Sequence, residues 1–254
     1  MEINLCNKLK RNLKAGKVQM GVFVTSPCPE VVEVLAATGF DFVIIDCEHG
    51  GSGIETVIDM VRGAEAYGMP TVVRAHDDTP KIVSRYMDVG AYGIQVPMVH
   101  TAEQAAKIVE ATKFWPEGKR GMSGGRGAKW GFIPDYREQV NAESFIAVMC
   151  ESQEGVNNIE EIVKVPGIDA VFIGAYDLSQ DMGIPGDVMS PPMEEAIAKV
   201  LKACQDADVI PGIVAPTIEM ARKRIEQGFT YVTLFDDMVF FAECAAKRLA
   251  DVKA

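Results

Sequence analysis

Nothing in this sequence approaches the roughly 20 consecutive apolar residues that a membrane span requires. Its opening, Met1–Lys10, carries charge with no long apolar stretch behind it. No membrane partner is expected, and the reading is a cytoplasmic protein. Positive charge is also short: 25 Lys and Arg against 36 Asp and Glu leave a formal charge of -11. That balance argues against a surface that binds phosphate backbones, and so against a nucleic-acid partner. An anion can bind only where a local cation or a metal overrides the global sign. The six cysteines include no Cys-x-x-Cys pair, so neither a zinc knuckle nor a disulfide framework is indicated, and reduced, mostly buried thiols are expected. Two nucleotide signatures are missing as well. No Gly-x-Gly-x-x-Gly follows the first apolar strand, and no Gly-Lys-Ser/Thr closes a glycine-rich loop.

What the chain has in quantity is apolar character, 48% of 254 residues, enough for a large core in one domain spanning 1–254. Short β-branched runs alternate with amphipathic stretches. The spacing predicts an opening helix over 3–15, set to plug a barrel floor, then a strand over 20–25 and a helix over 29–38 stopped by Gly39. The next strand starts at Phe42 and runs into Asp46-Cys47-Glu48-His49-Gly50-Gly51. Further strands are predicted over 71–74, 92–96, 145–151, 170–173, 210–214 and 231–235. Helices fit over 54–67, 80–89, 101–113, 155–164, 191–207, 216–227 and 238–251, with a capping-box spacing at Thr101 and Gln104. Strands so continuously apolar belong to a parallel sheet covered on its outer face. Closure into an α/β (β/α)8 TIM barrel is the economical architecture, with an open doubly wound sheet as the alternative. Residues 114–144 break the rhythm. This long, glycine-rich, basic segment is expected to be a βα excursion that shapes a site or an oligomer contact, with Gly124-Gly125-Arg126-Gly127 as a weak anion cradle.

In such a barrel the side chains at the carboxyl ends of the strands converge on one face, where active sites form. The polar residues at those ends are Asp46, Glu48, His49, Arg74, His76, Gln95, Glu151 and Asp177, while the last two strands supply little. Glu151 and Asp177 repel each other unless a cation sits between them. Hard oxygen ligands, completed by water and substrate, suit Mg²⁺ or Mn²⁺; the plainer alternative pairs Glu151 with Arg74 and leaves Asp177 capping the next turn. An imidazole such as that of His49 can move protons, or can simply hold its turn; His76 and His100 rank below it. A buried Arg74 needs an anion, either Glu151 or Asp46 or a substrate carboxylate or enolate. Met149, two residues before Glu151, reads most simply as core.

Several of these segments taken together resemble one family. Phe42–Gly50, Val73-Arg74, Met87-Asp88-Val89-Gly90, Val96-Pro97-Met98-Val99, Arg120-Gly121, Cys150-Glu151 and Gly167–Gly174 with Asp177-Leu178-Ser179 are similar, in order, to the HpcH/HpaI family of metal-dependent class II pyruvate aldolases. The resemblance implies a divalent metal, Mg²⁺ or Mn²⁺ with Co²⁺ as a further option, held by Glu151 and Asp177. It implies His49 as general base with Asp88 raising its basicity, and Arg74 stabilising an enolate, with Asp46 on the proton-transfer side. Backbone N–H groups of Gly174, Ala175, Tyr176 and Asp177 would hold a substrate carboxylate. It also implies a homo-oligomer, a hexamer or trimer of dimers, with the final helix swapped between subunits. The reaction implied is reversible cleavage of a 4-hydroxy-2-oxo acid to pyruvate and an aldehyde. A lyase acting on a coenzyme A ester and a non-catalytic oxo-acid binder are the alternatives. Three departures bear on the substrate: Met149 stands where many members have glutamine, Gly174-Ala175-Tyr176-Asp177 where Gly-Pro-Ala-Asp is common, and Cys47 where a small residue is usual. A Schiff-base mechanism needs a desolvated strand-end lysine, and none is present at the strand ends read above.

Overall fold

A computed structural model describes residues 4–253. Its elements in chain order are α1 (Lys8–Lys14), β1 (Gln19–Val24), α2 (Pro29–Thr38), β2 (Phe42–Asp46), α3 (Ile54–Ala66), β3 (Thr71–Arg74), α4 (Pro80–Asp88), β4 (Gly93–Val96), α5 (Ala102–Thr112), α6 (Tyr136–Glu143), β5 (Phe145–Cys150), α7 (Gln153–Asn157), α8 (Ile159–Ile162), β6 (Ala170–Ile173), α9 (Ala175–Asp181), α10 (Pro191–Asp206), β7 (Ile210–Val214), α11 (Ile218–Gln227), β8 (Tyr231–Asp236) and α12 (Asp237–Lys253). The eight strands pair in parallel, in sequence order, and β8 returns to β1, so the sheet closes into a barrel. The doubly wound alternative is set aside by that closure.

Strand parity divides the apolar residues between two cores. Inward positions Phe23, Phe42, Ile44, Val72, Phe145, Met149, Phe172 and Tyr231 fill the barrel, and Leu9 and Leu13 of α1 close it from below. Outward positions such as Val43, Ile45, Val73 and Val171 pack under the helices. Large inward rings need small inward neighbours: a Cβ on Gly212 would meet the rings of Tyr231 and Phe172 at 2.6 and 2.8 Å. Alternating large and small residues is how a barrel interior fills without a pore.

Several boundaries differ from the sequence reading for local reasons. The opening helix starts at Lys8, and its expected beginning at Ile3 lies outside the described residues. The Asn7 side chain caps α1 by accepting from the Lys10 amide, while the amides of Leu5 and Asn7 donate to Gln139 and Glu143; those bonds hold residues 5–7 off helix geometry. The helix expected over 155–164 is two short ones, broken at Asn158, whose side chain donates to the His100 carbonyl at 2.9 Å. The capping box of Thr101 and Gln104 is present on α5.

The larger correction concerns 114–144. This segment follows α5 and precedes β5, so it is an αβ connection on the amino-terminal face, opposite the strand ends where chemistry converges. It is clasped to that floor. Arg126 donates to Glu65 at 2.6 Å and to the Val89 carbonyl at 2.7 Å, and Arg120 donates to Asp88. With its guanidinium spent this way, the Gly124–Gly127 stretch is a structural clasp and no anion cradle.

Lys10 is buried on the same floor, donating to the Ser144 carbonyl and pairing with Asp169 at 3.0 Å. Asp169 also accepts from the Ile146 amide at 3.0 Å, tying α1 to the start of β5. Asp169→Ala strands a buried ammonium, a loss on the order of 3–5 kcal/mol. The expected result is a clearly lowered urea midpoint relative to wild type, partly recovered when Lys10→Met is added.

Candidate active site

At the carboxyl ends of the strands a cavity of about 300 Å³ opens, lined by Phe23, Thr25, Asp46, His49, Arg74, Met149, Phe172, Gly174–Asp177, Val214, Phe235 and Asp236. Inward parity brings Asp46 and Arg74 to its floor, since they are register partners on β2 and β3. The Arg74 Nε and Nη2 donate to the two oxygens of Asp46 at 2.9 and 2.6 Å. The Arg74 Nη1 lies 3.1 Å from Glu48 Oε2, a charge contact without hydrogen-bond geometry. The guanidinium also sits over the Phe23 ring, 4.8 Å from its centroid. Burial by itself lowers the Arg74 pKa, but Asp46, then Glu48 and Glu151, outweigh it and hold the group above its ordinary value. Of the anions considered for Arg74, its partner within the chain is therefore Asp46, with Glu48 beside it.

Asp46 accepts two more bonds, from the amides of Glu48 and His49 at 3.0 and 3.2 Å. With four donors on it, Asp46 is held in place and shapes the turn that presents His49. The His49 imidazole is mostly exposed at the cavity rim, with Nε2 3.9 Å from Glu48 Oε2. Burial raises the Glu48 carboxyl above its ordinary pKa, countered in part by Arg74 and His49. Cys47 points outward into the helix layer and is buried there, its thiol pushed up to about 11 by that burial. The unusual thiol is packing.

Glu151 lies just past β5, with only 2% of its surface exposed. One oxygen accepts from the Met98 amide at 2.6 Å; the other, Oε2, is buried without a partner. Burial pushes this carboxyl up to about 8, with Glu48 and Asp177 acting in the same direction and the Met98 amide and Arg74 opposing. The alternative pairing of Glu151 with Arg74 is absent from the hydrogen bonds and ion pairs of the described residues. Gly174 makes the arrangement possible, because a Cβ there would collide with Glu151 Oε2. An orphaned carboxylate oxygen with a second carboxylate, Asp177, near enough to act on its charge is a set that a divalent cation satisfies. Among the described residues no group of three or more His, Cys, Asp or Glu is arranged to hold a metal. Two carboxylates completed by water and substrate match the hard, weakly caged coordination of Mg²⁺.

Other expected members are elsewhere. Asp88 ends α4 on the amino-terminal face, where Arg120 Nε and Nη2 donate to it at 3.1 and 2.7 Å. Within the chain it is not brought to His49, because a helix that starts beside the strand ends finishes at the opposite end of the barrel. His76 meets the Tyr86 hydroxyl and His100 meets Ser152, and neither lines the cavity. Gln95 is fully buried inside the barrel, accepting from the Tyr231 hydroxyl at 3.1 Å. Met149 packs in the barrel interior and lines the cavity. Strands β7 and β8, expected to supply little, contribute Val214, Phe235 and Asp236. The signal was present in Phe235-Asp236-Asp237 at a strand end, the same apolar-to-acidic break seen after β2. Asp237 is buried and accepts from the amides and hydroxyls of Thr25 and Ser26, which anchors the β1–α2 turn.

Glu151→Gln replaces a half-partnered buried carboxylate by a neutral amide of the same shape, removing a desolvation cost on the order of 1–3 kcal/mol. In buffer free of divalent ions this variant is expected to melt above wild type. It is also expected to lose the stabilisation that added Mn²⁺ gives wild type, both read by thermal denaturation.

The comparisons with known proteins agree with this geometry. Residues 19–242 match the family described as HpcH/HpaI aldolase/citrate lyase. The chain is 37% identical to a 5-keto-4-deoxy-D-glucarate aldolase of Klebsiella pneumoniae, over 96% of each chain. It is 35% identical to a hydroxypyruvate/pyruvate aldolase of Chromohalobacter salexigens, over 94% of each. Among solved structures, an HpcH/HpaI aldolase/citrate lyase family protein of Burkholderia cenocepacia superposes with a TM-score of 0.94 at 32% identity, covering 98% of this chain and 100% of the other. With a matching barrel, a matching length and the family match running over residues 19–242, this chain belongs to the HpcH/HpaI aldolase/citrate lyase family.

Proposed function

We infer that this protein is a divalent-metal-dependent aldolase that reversibly cleaves a 4-hydroxy-2-oxo acid to pyruvate and an aldehyde. The observation that carries the reading is the buried, partnerless Glu151 Oε2, within electrostatic reach of Asp177. Family membership implies metal dependence in general; our finer reading is that Glu151 and Asp177 hold Mg²⁺ or Mn²⁺, with Co²⁺ as a substitute. Bound there, the ion supplies Lewis-acid polarisation of the 2-oxo group. The first-turn amides of α9, at Ala175, Tyr176 and Asp177, lack helical acceptors and line the same cavity, which suits the substrate's carboxylate.

His49, on a turn set by Asp46, takes the C4 hydroxyl proton. The C3–C4 bond then breaks, C4 leaves as the aldehyde carbon, and the electron pair passes into the pyruvate enolate. Arg74, fixed by Asp46 and already charged, stabilises that developing negative charge without reorganising. Protonation at C3 completes pyruvate. Lys10 is the lysine that burial brings below its ordinary pKa, but it is engaged by Asp169 on the opposite face, so it offers no Schiff-base alternative at the cavity.

Proton exchange of the pyruvate methyl group in D₂O, followed by NMR, tests the enolisation half without knowledge of the aldehyde. Exchange is expected with Mn²⁺ or Mg²⁺, to vanish on exhaustive chelation, and to be lost in His49→Ala. Arg74→Lys, which cannot keep the bidentate pair, is expected to slow it roughly 100- to 1,000-fold. Exchange that survives EDTA would sink this reading, as would trapping of a pyruvate adduct by borohydride.

The assembly we propose is a hexamer or trimer of dimers of one-domain barrels that exchange α12. Its first turn packs on the body through Phe240 against Phe40, while Phe241, Leu249 and Val252 are exposed beyond it. Apolar groups left open on a terminal helix suit exchange with a second copy. Removing residues 238–254 is expected to reduce the oligomer measured by light scattering. No helix among the described residues is long and apolar enough to cross a membrane. The cysteines are all free thiols, which suits a reducing, cytoplasmic setting.

A further inference from the structure

The aromatic wall of the cavity has its own chemistry. Strand β8 carries one more residue than β1 opposite it: Gly21 pairs with Thr233, but Phe23 pairs with Asp236. The bulge falls at Leu234–Phe235, and Phe235 has φ +35°, the left-handed region that a bulky residue enters at a cost. Such strain persists only where the surroundings impose it, and it clusters at ligand sites. Here it accompanies a ring that lines the cavity and lies 5.8 Å from the Tyr176 ring, tilted by 56°. Tyr176 is 41% exposed at the opening, a large aromatic surface left for something to cover. Val214 and Phe172 continue the apolar wall inward.

The charges on the same cavity point the same way. Arg74 is the only lysine or arginine among its lining residues, and its Nε, Nη1 and Nη2 are already engaged by Asp46 and Glu48. The lining carboxylates are Asp46, Asp177 and Asp236. Asp236 accepts from the Val239 amide at 2.9 Å and so keeps its place at the rim. With Asp46 paired to Arg74 and Asp177 given to the metal, a second carboxylate on the substrate would meet Asp236 and no unengaged lysine or arginine among the lining residues, and like charges brought together reject a ligand.

Resting on the aldolase reading above, we propose that Tyr176 and Phe235 form the seat of the aldehyde fragment. They select an uncharged, apolar aldehyde over one that carries a carboxylate. The 4-hydroxy-2-oxo acid turned over is then a monocarboxylate with an apolar group beyond C4.

The test uses the full-length protein with Mn²⁺ and pyruvate, and two aldehydes of nearly the same shape. In 4-methylpentanal a branched methyl pair stands where succinate semialdehyde has its carboxylate. Wild type is expected to favour 4-methylpentanal in kcat/KM by at least roughly tenfold. Tyr176→Ala and Phe235→Ala are expected to lower that ratio about tenfold, mainly through KM for the apolar aldehyde. Tyr176→Arg is expected to shift preference toward the semialdehyde. A merely structural lesion would lower both activities together and leave the ratio unchanged; that result in Tyr176→Ala and Phe235→Ala overturns the assignment. Wild type that favours the semialdehyde or treats the two alike, while still exchanging pyruvate methyl protons, overturns this proposal alone. Absence of that exchange with either metal overturns the aldolase reading and this proposal together.

Discussion

The site depends on one ion pair, the bidentate contact of Asp46 with Arg74 across β2 and β3. A guanidinium and a carboxylate this deeply buried are stable only when each satisfies the other. Here the pair is register-matched on adjacent parallel strands, so the sheet itself sets its geometry. From that fixed point Asp46 also accepts the amides of Glu48 and His49. The same carboxylate thereby orients both the Arg74 guanidinium and the turn that carries His49. Preorganised charge of this kind is what a barrel's strand ends supply well, because the strands that hold it barely move.

Beyond β4, at the end of β5, the opposite condition holds. Glu151 is buried with an oxygen that nothing in the chain satisfies, next to a glycine with no room for a side chain. A protein selected only for stability would not keep it. Its persistence makes sense if the missing partner is a cation, and the cost of the empty arrangement becomes the affinity of the loaded one. The site is thus divided into a side whose charges are settled by the fold and a side whose charges await a ligand. The aromatic pair of Tyr176 and Phe235 closes the third side with apolar surface.

The fold was legible in the sequence to a large degree, because parallel barrels write it plainly. Strands buried on both faces are continuous apolar runs, and Gly39, Gly90 and Gly228 stop helices where the backbone turns left-handed. Pro29, Pro80 and Pro191 start helices for the complementary reason. Six of the strands, β2, β3, β5, β6, β7 and β8, begin where the pattern placed them, and 71–74, 170–173 and 210–214 also end there. The short helices α6, α7, α8 and α9 were missed or merged, since a turn or two of helix carries too little periodicity to read. The resemblance of strand-end motifs supplied the family, and the residues around Asp46, Arg74, Glu151 and Asp177 were all found as strand-end breaks.

Sequence by itself therefore determined the order of elements, the inward or outward direction of each strand residue and the identity of the polar set. Those are local properties of period, capping and charge. Tertiary structure decided who meets whom. It gave Arg74 to Asp46, left Glu151 Oε2 alone, and set Asp88 with Arg120 at the far end of the barrel. It turned the 114–144 segment to the floor, because the side of a barrel on which a connection lies depends on whether it follows a helix or a strand. It also brought Asp236 to the cavity beside Phe235 through a one-residue bulge, a register event that depends on the partner strand and overrides the alternation of β8 at that one position.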